Sequence, residues 1–282
     1  MSDTSTRTHH RVCHLCEAMC GLVIQTEGDK VTDIWGDKDD PLSRGHVCPK
    51  AVALQDIHED PDRLRKPMKR IRTAPGEYQH VEIEWSEALD LAADALASTI
   101  EKQGVDAIGA YFGNPSVHNY GMLTHQRNLF RHIRTRNRYS ATSVDQLPHH
   151  LVSLWCFGHM LLHPIPDVDR THYFLMLGAN PLASNGSIWT VPDVRQRLKD
   201  LKSRGGKLVV VDPRRTETAE LASEHLFIRP GSDAAFLLAM IHVLFRDDLV
   251  APGPLGDFTD GLDEVADAVS ELNPDWAAPL TG

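Results

Sequence analysis

Apolar residues recur along this chain with two different periods, and the change of period divides it. Residues 22–26 (Leu-Val-Ile-Gln-Thr) form a short β-branched run, Gly28 and Asp29 supply a turn, and residues 31–35 (Val-Thr-Asp-Ile-Trp) supply a return strand. A hairpin is predicted there, followed by a polar loop over 36–48. Residues 61–76 are basic, punctuated by Pro61, Pro67 and Pro75, and read as a connector. Beyond them the period lengthens. Leu89, Ala93, Leu96 and Ile100 recur near helical spacing, predicting a helix over 86–100 with Ser86 as N-cap and Gly104 as stop. A buried strand over 105–112, ending at Gly113-Asn114-Pro115, and a helix over 120–134 follow.

The last third is more regular. Short apolar strands are predicted over 173–177, 208–211 and 227–228. Helices alternate with them: one after Pro192 that stops at Gly205-Gly206, one over 217–222, and one capped by Ser232 that reaches about residue 245. This β-α order argues for an α/β fold with a parallel sheet, whose ligand loops lie at the strand C-termini. Backbone N–H groups near Gly178 and Asn180 suit a phosphate. Asp212 and Asp233 can accept from ribose hydroxyls or base N–H groups, and Gly231 allows close approach. An aspartate at a helix start is also explained as an ordinary cap.

Composition narrows the class. The 282 residues are 41% hydrophobic and 24% charged, ordinary for a globular chain of about two domains. A net charge of −10 disfavours nucleic acid as a partner, because phosphate neutralisation needs a basic surface. No apolar run reaches the roughly 18 residues of a membrane helix. The N-terminal MSDTSTRTHHRVCHLC has neither an apolar signal core nor a twin-arginine pair ahead of one, so the expected compartment is the cytoplasm.

Cysteine placement brings in chemistry. Four of the five cysteines fall at Cys13, Cys16, Cys20 and Cys48, a tight trio and one distant return separated by the predicted hairpin. Structural zinc usually takes two C-x2-4-C pairs, which this spacing fits less well. A 4Fe–4S cluster takes one thiolate per iron, and a trio plus a distant cysteine followed by proline supplies that. Iron–sulfur, zinc and no metal all stay open on spacing alone. His14 and His46 flank the set and read as exposed loop residues. Cys156, inside the apolar run 154–157, reads as a buried free thiol.

The segment CHLCEAMCGLVIQTEGDKVTDIWGDKDDPLSRGHVCPKAVAL, followed by DPDRLRKPMKRI, resembles the N-terminus of the dimethyl sulfoxide reductase family of molybdopterin oxidoreductases, which includes formate dehydrogenases and nitrate reductases. The resemblance implies a small 4Fe–4S domain carrying the hairpin over 6–62, a partial α/β domain over 63–165, and a Rossmann-like dinucleotide-binding domain over 166–282. It implies a 4Fe–4S cluster on Cys13, Cys16, Cys20 and Cys48, and a molybdenum (or tungsten) bis-molybdopterin guanine dinucleotide. Lys50 matches the family's C-x-K lysine, which lies between cluster and pterin; Ala51 replaces the glycine usual after it. LGANP, VVVDPRRTETA and IRPGSDAAFLLAM resemble the elements that hold one guanine dinucleotide, assigning that role to Gly178, Asn180, Asp212, Arg214, Gly231 and Asp233.

In this family a side chain often completes the metal sphere from the loop that here spans 139–148. Without a cysteine there, Asp145 is the first candidate and Ser143 the second; carboxylate is a hard donor suited to high-valent molybdenum. His149 and His150 read either as proton donors or as plain loop histidines. The implied function is two-electron redox or oxygen-atom transfer at molybdenum, with electrons relayed through the cluster to a partner protein. Family members are much longer, and their C-terminal dinucleotide-clasping domain has no counterpart in these 282 residues. The rival readings are a non-catalytic iron–sulfur electron-transfer or assembly fragment and a zinc-bearing structural protein.

Overall fold

The structure is a computed structural model that describes residues 5–184, 189 and 191–282. It divides into two compact units, the described parts of 1–165 with 187–192, and of 166–186 with 193–282. In the first unit, β1 (Thr6–Val12), β2 (Gly21–Glu27) and β3 (Lys30–Gly36) form an antiparallel sheet in that order. The predicted hairpin is β2–β3. Strand β1 was not foreseen, because Thr-Arg-Thr-His-His-Arg-Val has no alternating apolar face and is held by its ladder to β2. Leu22 and Ile34 bury their side chains with Cys13, Ala18, Cys20 and Ala51. After Cys48 come α1 (Pro49–Val52) and α2 (Leu54–Glu59), with Pro49 at the helix start where a missing N–H costs nothing.

The basic stretch expected to be a connector is instead a hairpin, β4 (Met68–Ala74) with β5 (Glu77–Glu82), turning at Gly76 with φ +85°. Its cations are strand side chains facing solvent. Arg70 stacks 4.7 Å over Tyr78, and Lys66 and Lys69 pair with Glu84 and Glu87 at 3.0 Å. Helix α3 (Trp85–Gln103) is capped by Glu84, so Ser86 lies inside it rather than at its cap. The strand expected over 105–112 shrinks to β6 (Ala110–Phe112), and its middle residue Tyr111 is exposed. Its first residues form a 3-10 turn, where Asp106 accepts from the Arg136 N–H at 2.9 Å. Helix α4 (Tyr120–His132) is capped by Asn119 and leads to β7 (Arg138–Ser140), parallel to β6. The expected loop over 139–148 is mostly ordered, as the end of β7, α5 (Thr142–Asp145) and the start of α6 (Leu147–Phe157). Cys156 is exposed on α6, not buried: the face that α6 buries carries His150 and Ser153.

The second unit is built on three parallel strands in the order β10-β9-β8. They are β8 (Tyr173–Leu177), β9 (Lys207–Val211) and β10 (Glu224–Leu226); α7 (Pro181–Ser184), α8 (Val194–Ser203) and α9 (Glu217–Leu221) connect them. Central β9 is buried from Leu208 to Val211, as a strand covered on both faces should be. β10 lies three residues before the expected 227–228, because Phe227 points into solvent. α10 (Asp233–Arg246), α11 (Leu262–Val269) and α12 (Pro274–Thr281) close the unit. Arg229 fastens the last of these, through its N–H to the Thr281 carbonyl at 2.8 Å and its guanidinium to the Pro279 carbonyl at 3.0 Å. Among the described residues no helix is long and apolar enough to cross a membrane.

Candidate metal centre and cofactor cavity

The cysteine trio sits on one closed loop. The Cys13 N–H donates to the Cys20 carbonyl at 2.8 Å, and Met19 takes a left-handed φ of 48° to complete the turn. Cys48 stands at the N-terminus of α1 and returns to the same lobe. Cys13 and Cys20 are buried in its core, and Cys16 and Cys48 pack against that core. The return loop is braced from beneath. The Gly21 N–H donates to the Ser43 hydroxyl at 3.0 Å, and Asp40 receives the Ser43 N–H at 2.6 Å and the Ser43 hydroxyl at 2.9 Å. Those bonds hold the Asp40 carboxyl below its ordinary value.

The thiols perturb one another. Burial first, then the charges of Cys13, Cys16 and Cys48, push the Cys20 thiol up to about 11, and burial also raises Cys13. A protein that crowds four thiols this way disfavours four bare thiolates, and a bound cation reverses the cost. Among the described residues no three His, Cys, Asp or Glu side chains converge on a single ion. A 4Fe–4S cluster asks something different, one thiolate on each of four irons. Lys50 is exposed on α1, two residues after Cys48, and His14 is exposed as expected.

A cavity of about 1300 Å³ opens in the same unit. Its wall brings together Glu17 from the cysteine loop, Gln126, Arg127 and Arg131 from α4, Asp145 from α5, and His150 from α6. Of the two candidate metal ligands, Asp145 lines this space; Ser143 turns its hydroxyl to the Ser140 carbonyl at 3.3 Å. His150 and His149 lie on a helix rather than a loop. His150 is 8% exposed, its Nε2 stands 3.3 Å from Gln146 Oε1, and its ring meets that of His163 edge-on at 5.0 Å. Desolvation, then the charges of His150 and His149, hold His163 below its ordinary value. Gln126 Oε1, His150 Nδ1 and His118 Nε2 are buried without a hydrogen-bond partner; His118 stands 4.0 Å from Glu17. Sequence reading missed Glu17, Gln126, Arg127, Arg131 and His163. Only Glu17, inside the cysteine trio, carried a local signal.

In the second unit every candidate dinucleotide residue sits past the C-terminal end of a parallel strand or at the start of the following helix. Gly178 follows β8 with φ +62° and donates its N–H to the Val211 carbonyl at 2.9 Å. Asn180 is clamped: its amide donates to Glu217 at 2.8 Å and accepts from the Thr218 hydroxyl at 2.7 Å. Asp212 follows β9, buried, and accepts the Arg214 N–H at 2.7 Å, while the Arg214 side chain is exposed. Gly231, at φ +81°, leads into α10, whose first residue is Asp233. Ser232 occupies the predicted cap position but donates its hydroxyl back to the Arg229 carbonyl at 2.6 Å.

Comparison with known proteins agrees with this anatomy. Residues 63–271 match the molybdopterin oxidoreductase family, and residues 6–59 match the molybdopterin oxidoreductase Fe4S4 domain. A probable oxidoreductase of Bacillus subtilis, YoaE, is 27% identical over 281 residues, 96% of this chain and 39% of that protein. The F420-dependent formate dehydrogenase subunit alpha of Methanocaldococcus jannaschii is 26% identical over 96% of this chain and 38% of its own length. The solved structure of acetylene hydratase from Pelobacter acetylenicus superposes with a TM-score of 0.75 at 28% identity, covering 97% of this chain and 36% of that one. The chain thus spans less than two-fifths of these relatives.

Proposed function

Because this chain belongs to the molybdopterin oxidoreductase family, we propose that it carries the cluster-holding and first dinucleotide-holding parts of a molybdenum or tungsten oxidoreductase. The single observation that carries this reading is the cavity: the loop of the four-cysteine lobe and Asp145 line the same space. In this reading residues 6–62 hold a 4Fe–4S cluster through Cys13, Cys16, Cys20 and Cys48, and 63–165 form the chamber wall. Residues 166–282 hold one guanine dinucleotide of a bis-molybdopterin guanine dinucleotide. The unpartnered Gln126 Oε1 and His150 Nδ1, on residues that line the cavity, fit a polar heterocycle rich in hydrogen-bonding groups, because buried polar atoms ordinarily have partners. The match to an Fe4S4 domain favours iron over zinc at the cysteines.

When bound, the cofactor supplies two-electron redox chemistry and the cluster passes electrons singly. The chain's own residues bind and orient. Asp145 offers a hard carboxylate donor from α5. Lys50, two residues beyond Cys48, would stand on the electron path between the cluster and the pterin when both are bound. Asn180 presents its backbone N–H to a phosphate, Gly178 turns the chain toward it with its own N–H held by the Val211 carbonyl, Arg214 adds a cation, and Asp212 and Asp233 accept from ribose or guanine. A separate electron-transfer protein is the expected partner. A non-catalytic electron-transfer or assembly role is the second reading, favoured by the exposed apolar surface of α6. Metal analysis after anaerobic purification separates them: iron, sulfide, molybdenum or tungsten and pterin for the first, iron without stable pterin for the second. Cys16→Ser removes the broad visible absorbance of the cluster. Asp145→Ala in the assembled enzyme abolishes turnover and keeps that absorbance; full activity in this variant sinks the ligand assignment.

A further inference from the structure

We propose that the outward face of the β4–β5 hairpin docks a partner protein with an acidic face, and that this partner is the electron carrier. The inference rests on the proposed function and adds where its partner binds and by what chemistry. Residues 63–72 hold six of the chain's 29 lysines and arginines and none of its 39 aspartates and glutamates, a local reversal of sign in a chain of net charge −10. Strand register sorts these cations onto two faces, because side chains alternate along a strand. Lys69 and Ile71 share one face with Val81 and Gln79. Lys69 reaches Glu87 on α3 at 3.0 Å, and Ile71 and Val81 are half-buried, so this face turns toward α3. Arg70 and Arg72, paired across the hairpin with His80 and Tyr78, occupy the opposite face. All four are exposed, and the acids of the hairpin, Glu77 and Glu82, lie at its two ends.

The chain neutralises the two lysines of the stretch itself, Lys66 by Glu84 and Lys69 by Glu87. The four arginines have no ion pair among the described residues. Arg63 and Arg65 donate to the Ile57 and His58 carbonyls of α2 at 3.4 and 3.2 Å, which ties the start of the stretch to the cysteine lobe. Arg72 donates to the Ala74 carbonyl at 3.3 Å, and Arg70 lies over the Tyr78 ring at 4.7 Å. A guanidinium has five N–H donors, so each keeps most of them for an incoming carboxylate. Protein interfaces enrich arginine and tyrosine and deplete lysine, the division found here. Leu64 is 70% exposed and Tyr78 54%, which gives the face apolar area as well as charge. No residue of either strand is buried, and a lone two-stranded hairpin is marginal in water, so a covering partner completes its packing. A carrier that reaches Arg63 and Arg65 stands beside the lobe of the proposed cluster. The overall charge of −10 opposes a nucleic acid in its place.

Calorimetric titration of the full chain with an acidic ferredoxin tests this. The control is the same ferredoxin with its surface carboxylates converted to amides. The native ferredoxin is expected to bind at about 0.05 M salt and more weakly at about 0.3 M, and the amidated one not to bind. Arg70→Gln with Arg72→Gln weakens binding by about three- to tenfold, the effect of two exposed charge pairs. Arg70→Lys with Arg72→Lys keeps the charge and most of the affinity, so a loss confined to the glutamine variant is not a folding defect. Arg195→Gln, on an exposed arginine of α8 in the other unit, leaves the affinity unchanged. Equal binding by the double glutamine variant, an equal loss with Arg195→Gln, or no ferredoxin binding at all overturns the proposal. So does a DNA duplex that binds more tightly than ferredoxin at the same salt, or a dimer of the chain alone that the double glutamine variant dissolves, since the face then serves nucleic acid or a second copy. Docking needs no cofactor. A chain that binds ferredoxin yet takes up no iron sinks the proposed function and leaves the docking face standing; one that takes up iron and pterin but ignores ferredoxin sinks the docking face alone.

Discussion

A Cβ added to Gly36 would stand 2.1 Å from the Gly45 carbonyl oxygen, so the loop that returns Cys48 to the other cysteines lies on β3 with only a hydrogen between them. Gly36→Ala therefore forces the loop away, at a cost of about 1–3 kcal/mol, and lowers the iron bound per chain. Wild-type iron content and melting temperature in this variant would falsify that account. Asp40 braces the same loop from its other side, and its carboxyl is held below the ordinary 3.8, first by the Ser43 N–H. A folded value below the unfolded one contributes stability above pH 3.8 that is lost as pH falls through the folded value. Asp40→Asn should thus be less stable than wild type at neutral pH, and melting curves should converge as the pH drops below 3.8. At this scale the cysteines were legible because ligand type and spacing are local. Gly36, Asp40 and Arg127 were not, since their importance depends on what distant chain brings to them.

Elements were legible where one force dominates. The Leu-Val-Val-Val run of β9 is apolar on both faces and could only be a covered strand. The β4–β5 hairpin was hidden because its strands carry Lys69, Arg70 and Arg72, and charge in a Pro-flanked stretch reads as linker. Helix α6 misled in the opposite direction. Its apolar composition suggests burial around Cys156, yet Trp155 is 73% exposed and the buried side chains are His150 and Ser153. The buried face of α6 is the polar one, with His150 at the cavity wall and the Ser153 hydroxyl 3.1 Å from His163 Nδ1, and the apolar residues Leu151, Val152, Leu154, Trp155 and Phe157 are exposed. Iodoacetamide under native conditions should then alkylate Cys156 ahead of Cys13 and Cys20, as peptide mass mapping would report. A Cys156 that reacts only after denaturation would mean that the outer face of α6 is covered.

Across the whole molecule, stability has two separate origins. In the cysteine lobe two of the proposed ligands are part of the core: Cys13 and Cys20 pack with Leu22, Ile34 and Ala51, a set too small to hold three strands and two short helices firmly without metal. The second unit has no such dependence. Leu198, Leu201, Leu208 and Val210 are fully buried there, around a sheet that needs no ligand to close. Removing iron by chelation should therefore raise hydrogen exchange throughout β2 and β3 while amides of β9 stay protected, since local opening follows local core strength. Exchange in β9 that rises in step with β2 and β3 would show that the two units unfold as one, and that metal held by the cysteine lobe supports the parallel sheet as well as its own lobe.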